Sequence, residues 1–363
     1  MKRRKYGTDA IYTYIIKALI IILLSTCFLI ILPCLILHEN TKQQSKDNYD
    51  ITKFSINSGT IVFNTKISKQ PKIKVYISSQ KKIKEIYIED YVRGVVCGEM
   101  PAEFDIEALK AQSVAARTYA FSHMAEFGGE KCNQGKGADV CDTVHCQVYM
   151  SKEARMKLWP KSSAQKYWDK ISEAVNQTAG QVIMYSGEMI KAPYYFSTSS
   201  GKTEDSIDVF AFSMPYLKSV ESPGEEASPK FTSTVKLTAG ELSKKINAAF
   251  PYANMSSKNI KSCLVIKSRT QSGSVKEIKT GSTTISGSQF RAVLGLNSSN
   301  FDIIYNAKNI EIICRGNGHD VGMSQWGAYA MAKKGGSYKE ILLHYYNGTT
   351  VENINADVWK TTD

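Results

Sequence analysis

The chain predicts an α+β fold, and three observations carry that reading. Strand-like and helix-like periodicities come in unequal blocks, without the regular β-α-β succession of a parallel sheet. No segment repeats another. A proline- and glycine-bearing loop at 219–229 sets off a block, 231–306, with helices and strands of its own, after which the chain returns. The architecture expected is a cleft-bearing core of mixed helices and strands, residues 51–230 and 307–363. A smaller α/β subdomain, 231–306, is inserted into it.

Ahead of this lies a membrane anchor. Residues 18–37 form an uncharged, Leu/Ile-rich run of 20 residues, long enough to span a bilayer. Lys2, Arg3, Arg4, Lys5 and Lys17 precede it, so residues 1–17 read as a basic cytoplasmic tail and the rest of the chain as outside. A cleavable signal peptide would have a shorter apolar region and a small-residue cleavage site, which His38-Glu-Asn-Thr does not offer. Residues 38–50 are a polar linker. Of the formal charge of +12, all but four net charges lie beyond residue 37, which suits an anionic surface such as a cell wall. An extracytoplasmic basic domain without basic-aromatic motifs argues against nucleic acid as a partner.

From 51 to 88 the pattern is β-like, with strands expected near Thr60, over Ile73-Lys-Val-Tyr-Ile77 and over Ile83-Lys-Glu-Ile-Tyr-Ile88. Tyr91-Val-Arg-Gly-Val-Val-Cys-Gly98 then reads as a short apolar helix, stopped by Pro101, with Glu99 just beyond its end. Asp105 is a good N-cap for a longer helix whose Ala108, Ala111, Ala115 and Ala116 permit close packing. A carboxylate held between two packed helices is well placed for acid–base work, though spacing alone equally allows a solvated loop residue. Residues 126–147 are a Gly/Cys-rich loop, and 151–176 a helix broken by Pro160. Residues 182–196 read as a hairpin that delivers the hydroxyl-rich Ser197-Thr-Ser-Ser200. In the inserted block, Thr238-Ala-Gly-Glu241 is a capping box and 286–296 a helix. The strand Ile310-Glu-Ile-Ile-Cys-Arg315 leads back to a Gly/His loop and a last helix over 324–334.

Cysteine use is uneven. Cys27 and Cys34 fall in the membrane run, and Cys97, Cys263 and Cys314 stand singly in apolar or strand-like contexts. Cys141, His145 and Cys146 lie within six residues, a spacing that allows a zinc site completed by Cys132 or water; a Cys141–Cys146 disulfide fits the same residues. The Ser-rich run lacks the G-x-S-x-G elbow of a serine nucleophile and suits hydrogen bonding to sugar hydroxyls instead.

Four segments, Gly98-Glu-Met-Pro-Ala-Glu103, Ala111-Gln-Ser-Val-Ala-Ala-Arg-Thr-Tyr119, Phe196-Ser-Thr-Ser-Ser-Gly-Lys-Thr-Glu204 and Gly318-His-Asp-Val-Gly-Met-Ser-Gln-Trp-Gly-Ala328, resemble in order the stage II sporulation protein D family. The family contains membrane-anchored lytic transglycosylases, so the resemblance implies cleavage of stem-free MurNAc-GlcNAc glycan to 1,6-anhydro ends during sporulation engulfment. It makes Glu99 the catalytic acid, with Glu103 the local competitor. It gives Arg117 an orienting or substrate-binding role and puts His319 and Gln325 in a glycan-cleft segment; Ser197, Ser199, Ser200 and Lys202 suit sugar binding by their own chemistry, and Gln147 and Tyr149, directly after the cysteine loop, are placed to line the cleft. The family usually has Gly where this chain has Asp320. Some members lack the cysteines, so a zinc on Cys141, His145 and Cys146 would be structural, with no cofactor needed for the glycan chemistry. The implied partners are the sporulation amidase stage II sporulation protein P and stage II sporulation protein M, and the implied location is the engulfing membrane of the mother cell. Two rival readings stand beside this one. In the first the chain is an amidase enhancer that binds without cleaving; in the second it is a zinc-dependent wall hydrolase.

Overall fold

The computed structural model describes residues 60, 61 and 71–354, so the expected anchor at 18–37 lies outside the described residues. Among those described, no helix is long and apolar enough to cross a membrane. The mixture of helices and small sheets is α+β, as the irregular blocks predict.

Strand β1 (Thr60–Ile61) pairs with β6, introduced below, and strands β2 (Lys72–Ile77) and β3 (Lys82–Tyr87) form a hairpin. The chain passes directly into α1 (Ile88–Glu99) and, after Pro101, into α2 (Ile106–His123). The Asp105 side chain accepts from the Glu107 N–H, the expected N-cap. Helix α2 is the axle of the first core. Its Ala108, Ala111, Ala115 and Ala116 are fully buried, and the absence of long side chains there lets α1 and later helices come close. The Cys-rich loop contributes β4 (Val140–Cys141), parallel to β2. Pro160 breaks the next helical stretch into α3 (Lys152–Leu158) and α4 (Ala164–Gln177).

Strands β5 (Gln181–Tyr185) and β6 (Glu188–Ile190) turn through Ser186 and Gly187, both at positive φ as a two-residue hairpin requires. Strand β7 (Tyr195–Phe196) leaves that hairpin to pair elsewhere, and α5 (Ser206–Phe210) follows. The second core belongs to β8 (Thr232–Leu237), α6 (Ala239–Ala249), α7 (Ile260–Cys263), β9 (Leu264–Arg269), β10 (Val275–Thr280), β11 (Thr283–Ser286), α8 (Gly287–Leu294), β12 (Phe301–Tyr305) and β13 (Ile310–Arg315). Helix α6 opens with the Thr238/Glu241 capping box anticipated from sequence. Strand β13, expected in the returning segment, lies between β8 and β12 and buries Ile310, Ile312 and Cys314 in this second core. The second core therefore takes in residues up to Cys314, past position 306.

The chain re-enters the first core through β14 (Met323–Ser324), α9 (Gln325–Lys333), α10 (Tyr338–Tyr345) and β15 (Thr349–Asn353). Strand β14 lies parallel to β7, so the hydroxyl-rich run and the Gly/His loop arrive side by side.

Candidate functional site

Glu99 is the last residue of α1, not a residue beyond its end: Met100 N–H still reaches the Val96 carbonyl before Pro101 stops the helix. Segment 148–150 runs back along α1. Val148 N–H donates to Glu99 Oε1 at 2.7 Å, and Met150 N–H donates to the Gly94 carbonyl at 3.1 Å. Two glycines one helical turn apart make this possible. A Cβ on Gly98 would collide with the Val148 carbonyl oxygen, and one on Gly94 with the Tyr149 ring. The Gln325 side chain also comes near the carboxyl and favours its ionised form. Burial pushes the Glu99 carboxyl up to about 6, with the Val148 hydrogen bond and Gln325 opposing. The residue still keeps a partly exposed edge.

Beneath it lies a polar network that sequence reading met only in part. Gln147 is buried; its Nε2 donates to Tyr91 Oη at 3.1 Å and its Oε1 accepts from Tyr195 Oη at 2.7 Å. Gln147 therefore braces the segment that holds Glu99, and its side chain is not offered to a substrate. Gln325 also donates to Gln112 Oε1 at 3.4 Å. Tyr91, Tyr195 and Val148 were missed as site residues. The first two carry no signal beyond adjacency to quoted motifs, and Val148 acts through its backbone.

Two further expected contacts, at Arg117 and Ser199, need correcting. Arg117 is fully buried: its Nε and Nη2 form a bidentate pair with Glu89 at 2.8 and 2.6 Å, and Nη1 donates to the Gln181 carbonyl at 3.2 Å. Glu89 begins α1 and Glu99 ends it, so the guanidinium sits about 15 Å down the helix from the acid. It cannot touch the same bond, and its work is to tie α1, α2 and β5 together. Ser199 is likewise interior, donating to Glu225 Oε1 at 2.9 Å. The disulfide alternative at Cys141–Cys146 is not formed; both thiols are free.

The other residues of that run lie nearer the surface. Ser197 is partly exposed, Ser200 Oγ accepts from Asn300 at 3.0 Å, and Lys202 pairs with Glu221 at 3.2 Å. Glu103 is exposed, whereas Glu107 holds Lys110 and the Tyr338 N–H at the start of α10.

His319 sits among the rings of Tyr194, Phe196 and Phe210, with centroids 5.5–5.9 Å away, and its Nδ1 accepts from Val321 N–H. Burial, with Arg291 assisting, lowers its pKa to about 4, so the ring is neutral near pH 7. The structure gives it no contact with Glu99. Asp320 has φ 65°, the left-handed region that glycine adopts without strain, which is the physical reason for glycine in the resembling pattern. Its buried carboxyl accepts from Ser298 Oγ at 3.0 Å, and burial raises its pKa well above the usual range.

The cysteine loop converges more fully than its spacing required. Ligand atoms of Cys132, Cys141, His145 and Cys146 all lie within 4.8 Å of one another. His145 Nδ1 is 3.4, 3.7 and 3.4 Å from the three sulfurs in that order, and the Cys132 and Cys146 sulfurs are 3.5 Å apart. Bonds of about 2.1–2.3 Å to one tetrahedral zinc imply ligand–ligand edges of about 3.4–3.8 Å. The donor set suits such an ion, and Cys132 is placed where a fourth ligand would stand. Cys146 is followed directly by Gln147 and Val148, so the cluster anchors the segment that grips Glu99.

Residues 76–185 match the family model described as stage II sporulation protein. The chain is 38% identical to stage II sporulation protein D of Bacillus subtilis (strain 168) over 284 residues, 78% of this chain and 80% of that one. It is 36% identical to the protein of the same name from Bacillus amyloliquefaciens, covering 78% and 79%. It is also 30% identical to the amidase enhancer of Bacillus subtilis (strain 168), over 72% of this chain and 40% of that longer one.

Proposed function

The chain belongs to the stage II sporulation protein D family of sporulation proteins, and from that premise we propose that it is a lytic transglycosylase of wall glycan with Glu99 as its acid. The observation that carries this reading is the Glu99 carboxyl: gripped by a backbone N–H, with the Gln325 side chain nearby, raised to about 6, and still reachable from solvent. An acid of that strength is protonated often enough near neutral pH to give its proton and weak enough to take one back.

Protonated Glu99 donates to the glycosidic oxygen as the bond from that oxygen to the muramic C1 breaks. The carboxylate left behind accepts the proton of the same ring's 6-hydroxyl, whose oxygen forms the new bond to C1. The product carries a 1,6-anhydro end, Glu99 regains its proton, and no water is consumed. One carboxyl suffices because the nucleophile belongs to the substrate. We carry the wall-facing membrane location and the two sporulation partners into this proposal from the family resemblance.

The full chain, incubated with stem-free glycan strands, is expected to yield anhydro-muramic ends by mass spectrometry. Reducing ends would replace the transglycosylase with a hydrolase. Glycan retained but uncut would favour the binding reading that the similarity to an amidase enhancer supports.

We also propose that Cys132, Cys141, His145 and Cys146 hold a structural zinc. Four protein ligands leave no open position for water, which favours a structural ion over a zinc hydrolase. Metal analysis should find about one zinc per chain. Chelation or Cys146→Ser should lower the melting temperature and slow cleavage together, because the Val148 segment loses its anchor. Zinc loss that stops cleavage without moving the melting temperature would overturn the structural assignment.

A further inference from the structure

We infer that the cleft beside α1, walled by Tyr149 and Trp168, is a pyranose subsite that seats one N-acetylhexosamine ring of the glycan. The inference rests on the glycan reading above and extends it beyond Tyr149 to Trp168 and to rim residues that no motif pointed to. The cleft has a volume of about 240 Å³ and lies between α1, α4 and the start of α3. Its floor is Gly94, where any side chain would collide with Tyr149. Tyr149 is held in place by stacking on buried Tyr91, with centroids 5.5 Å apart and an interplanar angle of 10°. Trp168, partly exposed on α4, carries the Lys152 ammonium 4.9 Å from its ring centroid. Asp90, Lys152 and Glu153 complete the rim, all three exposed.

Two partly exposed rings, Tyr149 held by its stacking on Tyr91, with a few charged groups at the rim match what a sugar presents: an apolar C–H face and a ring of hydroxyls. Lys152 is exposed and free to swing off the Trp168 ring, after which its ammonium donates to a hydroxyl while Asp90 and Glu153 accept from others. Asp90 is already ion-paired with Arg93 at 2.5 Å, so the rim is near charge balance and suits an uncharged amino sugar. Position ties the cleft to the acid. Tyr149 immediately follows Val148, the Glu99 hydrogen-bond donor, and Gly94 lies about 7.5 Å along α1 from Glu99. A ring seated there would fix which bond of the strand reaches the acid.

The test uses the full chain carrying Glu99→Gln, so that binding is read without turnover, and chitotetraose as the probe in calorimetry. Trp168→Ala in this background should weaken binding about tenfold, whereas Trp168→Tyr, which keeps a flat ring, should stay within about threefold. Unchanged affinity in Trp168→Ala would overturn the inference. So would equal loss in both variants, which would mean a structural role, or tighter binding of a stem-peptide fragment than of the tetrasaccharide. The two readings fail separately. If a chain with native Glu99 leaves glycan uncut but Trp168→Ala still weakens binding, the transglycosylase proposal falls and the subsite stands. If it cuts and Trp168→Ala binds as well as before, only the subsite falls.

Discussion

Glu99→Gln should lower the rate of glycan cleavage by about 10²–10⁴-fold, the usual contribution of a positioned general acid, while leaving glycan affinity nearly unchanged. Glutamine keeps the shape and can still accept from the Val148 N–H, but it has no proton to give. The native rate should fall as pH rises above about 6, where the carboxyl loses the proton it must donate. Stability gives an independent check of sign. The folded carboxyl, at about 6 against an ordinary 4.5, binds its proton more tightly than the unfolded chain does. Its contribution is fully present below pH 4.5 and is lost as pH rises through about 6, where ionising a buried group costs up to about 2 kcal/mol. Glu99→Gln should therefore melt higher than the native chain at pH 7–8 and no higher near pH 4. A variant that cleaves at the native rate would remove Glu99 from the mechanism.

Arg117→Met should destabilise the chain by about 3–5 kcal/mol, because it strands the Glu89 carboxylate in the interior without its partner. The Glu89 side chain also accepts from the Gly180 N–H at 3.2 Å, so it cannot simply turn out to water. Replacing both residues, Glu89→Gln with Arg117→Met, should recover part of the loss, and a double-mutant cycle in urea would read the coupling. A loss below about 1 kcal/mol for Arg117→Met would mean that the pair is solvated and Arg117 available for another task.

These two residues show where sequence reading reached and where it stopped. Local chemistry was legible: the Asp105 cap, the Thr238/Glu241 capping box and the break at Pro160 each depend on neighbours within a few residues. The same logic was available and unused at Ser337 and Glu340, a capping box that opens the unanticipated helix α10. The converging cysteines were legible because three of the four ligands lie within six residues. Arg117 and Ser199 were misread because their partners, Glu89 and Glu225, lie 28 and 26 residues away. A charged or hydroxyl side chain looks the same in sequence whether folding turns it toward a ligand or locks it inside. Motif resemblance marks such a residue without saying which role it plays.

The partners of Glu99 have a consequence for how the chain is made. Its backbone donor comes 49 residues later, and its amide neighbour, Gln325, belongs to the last described stretch of helices. A chain still being synthesised carries Glu99 long before it has the surroundings that raise its pKa. Until then the glutamate is an ordinary exposed carboxylate, ionised and unable to protonate a glycosidic bond. On the proposed mechanism, cutting power arrives only with the completed fold, so unfinished or clipped chains would lie idle against the wall that the finished protein cuts.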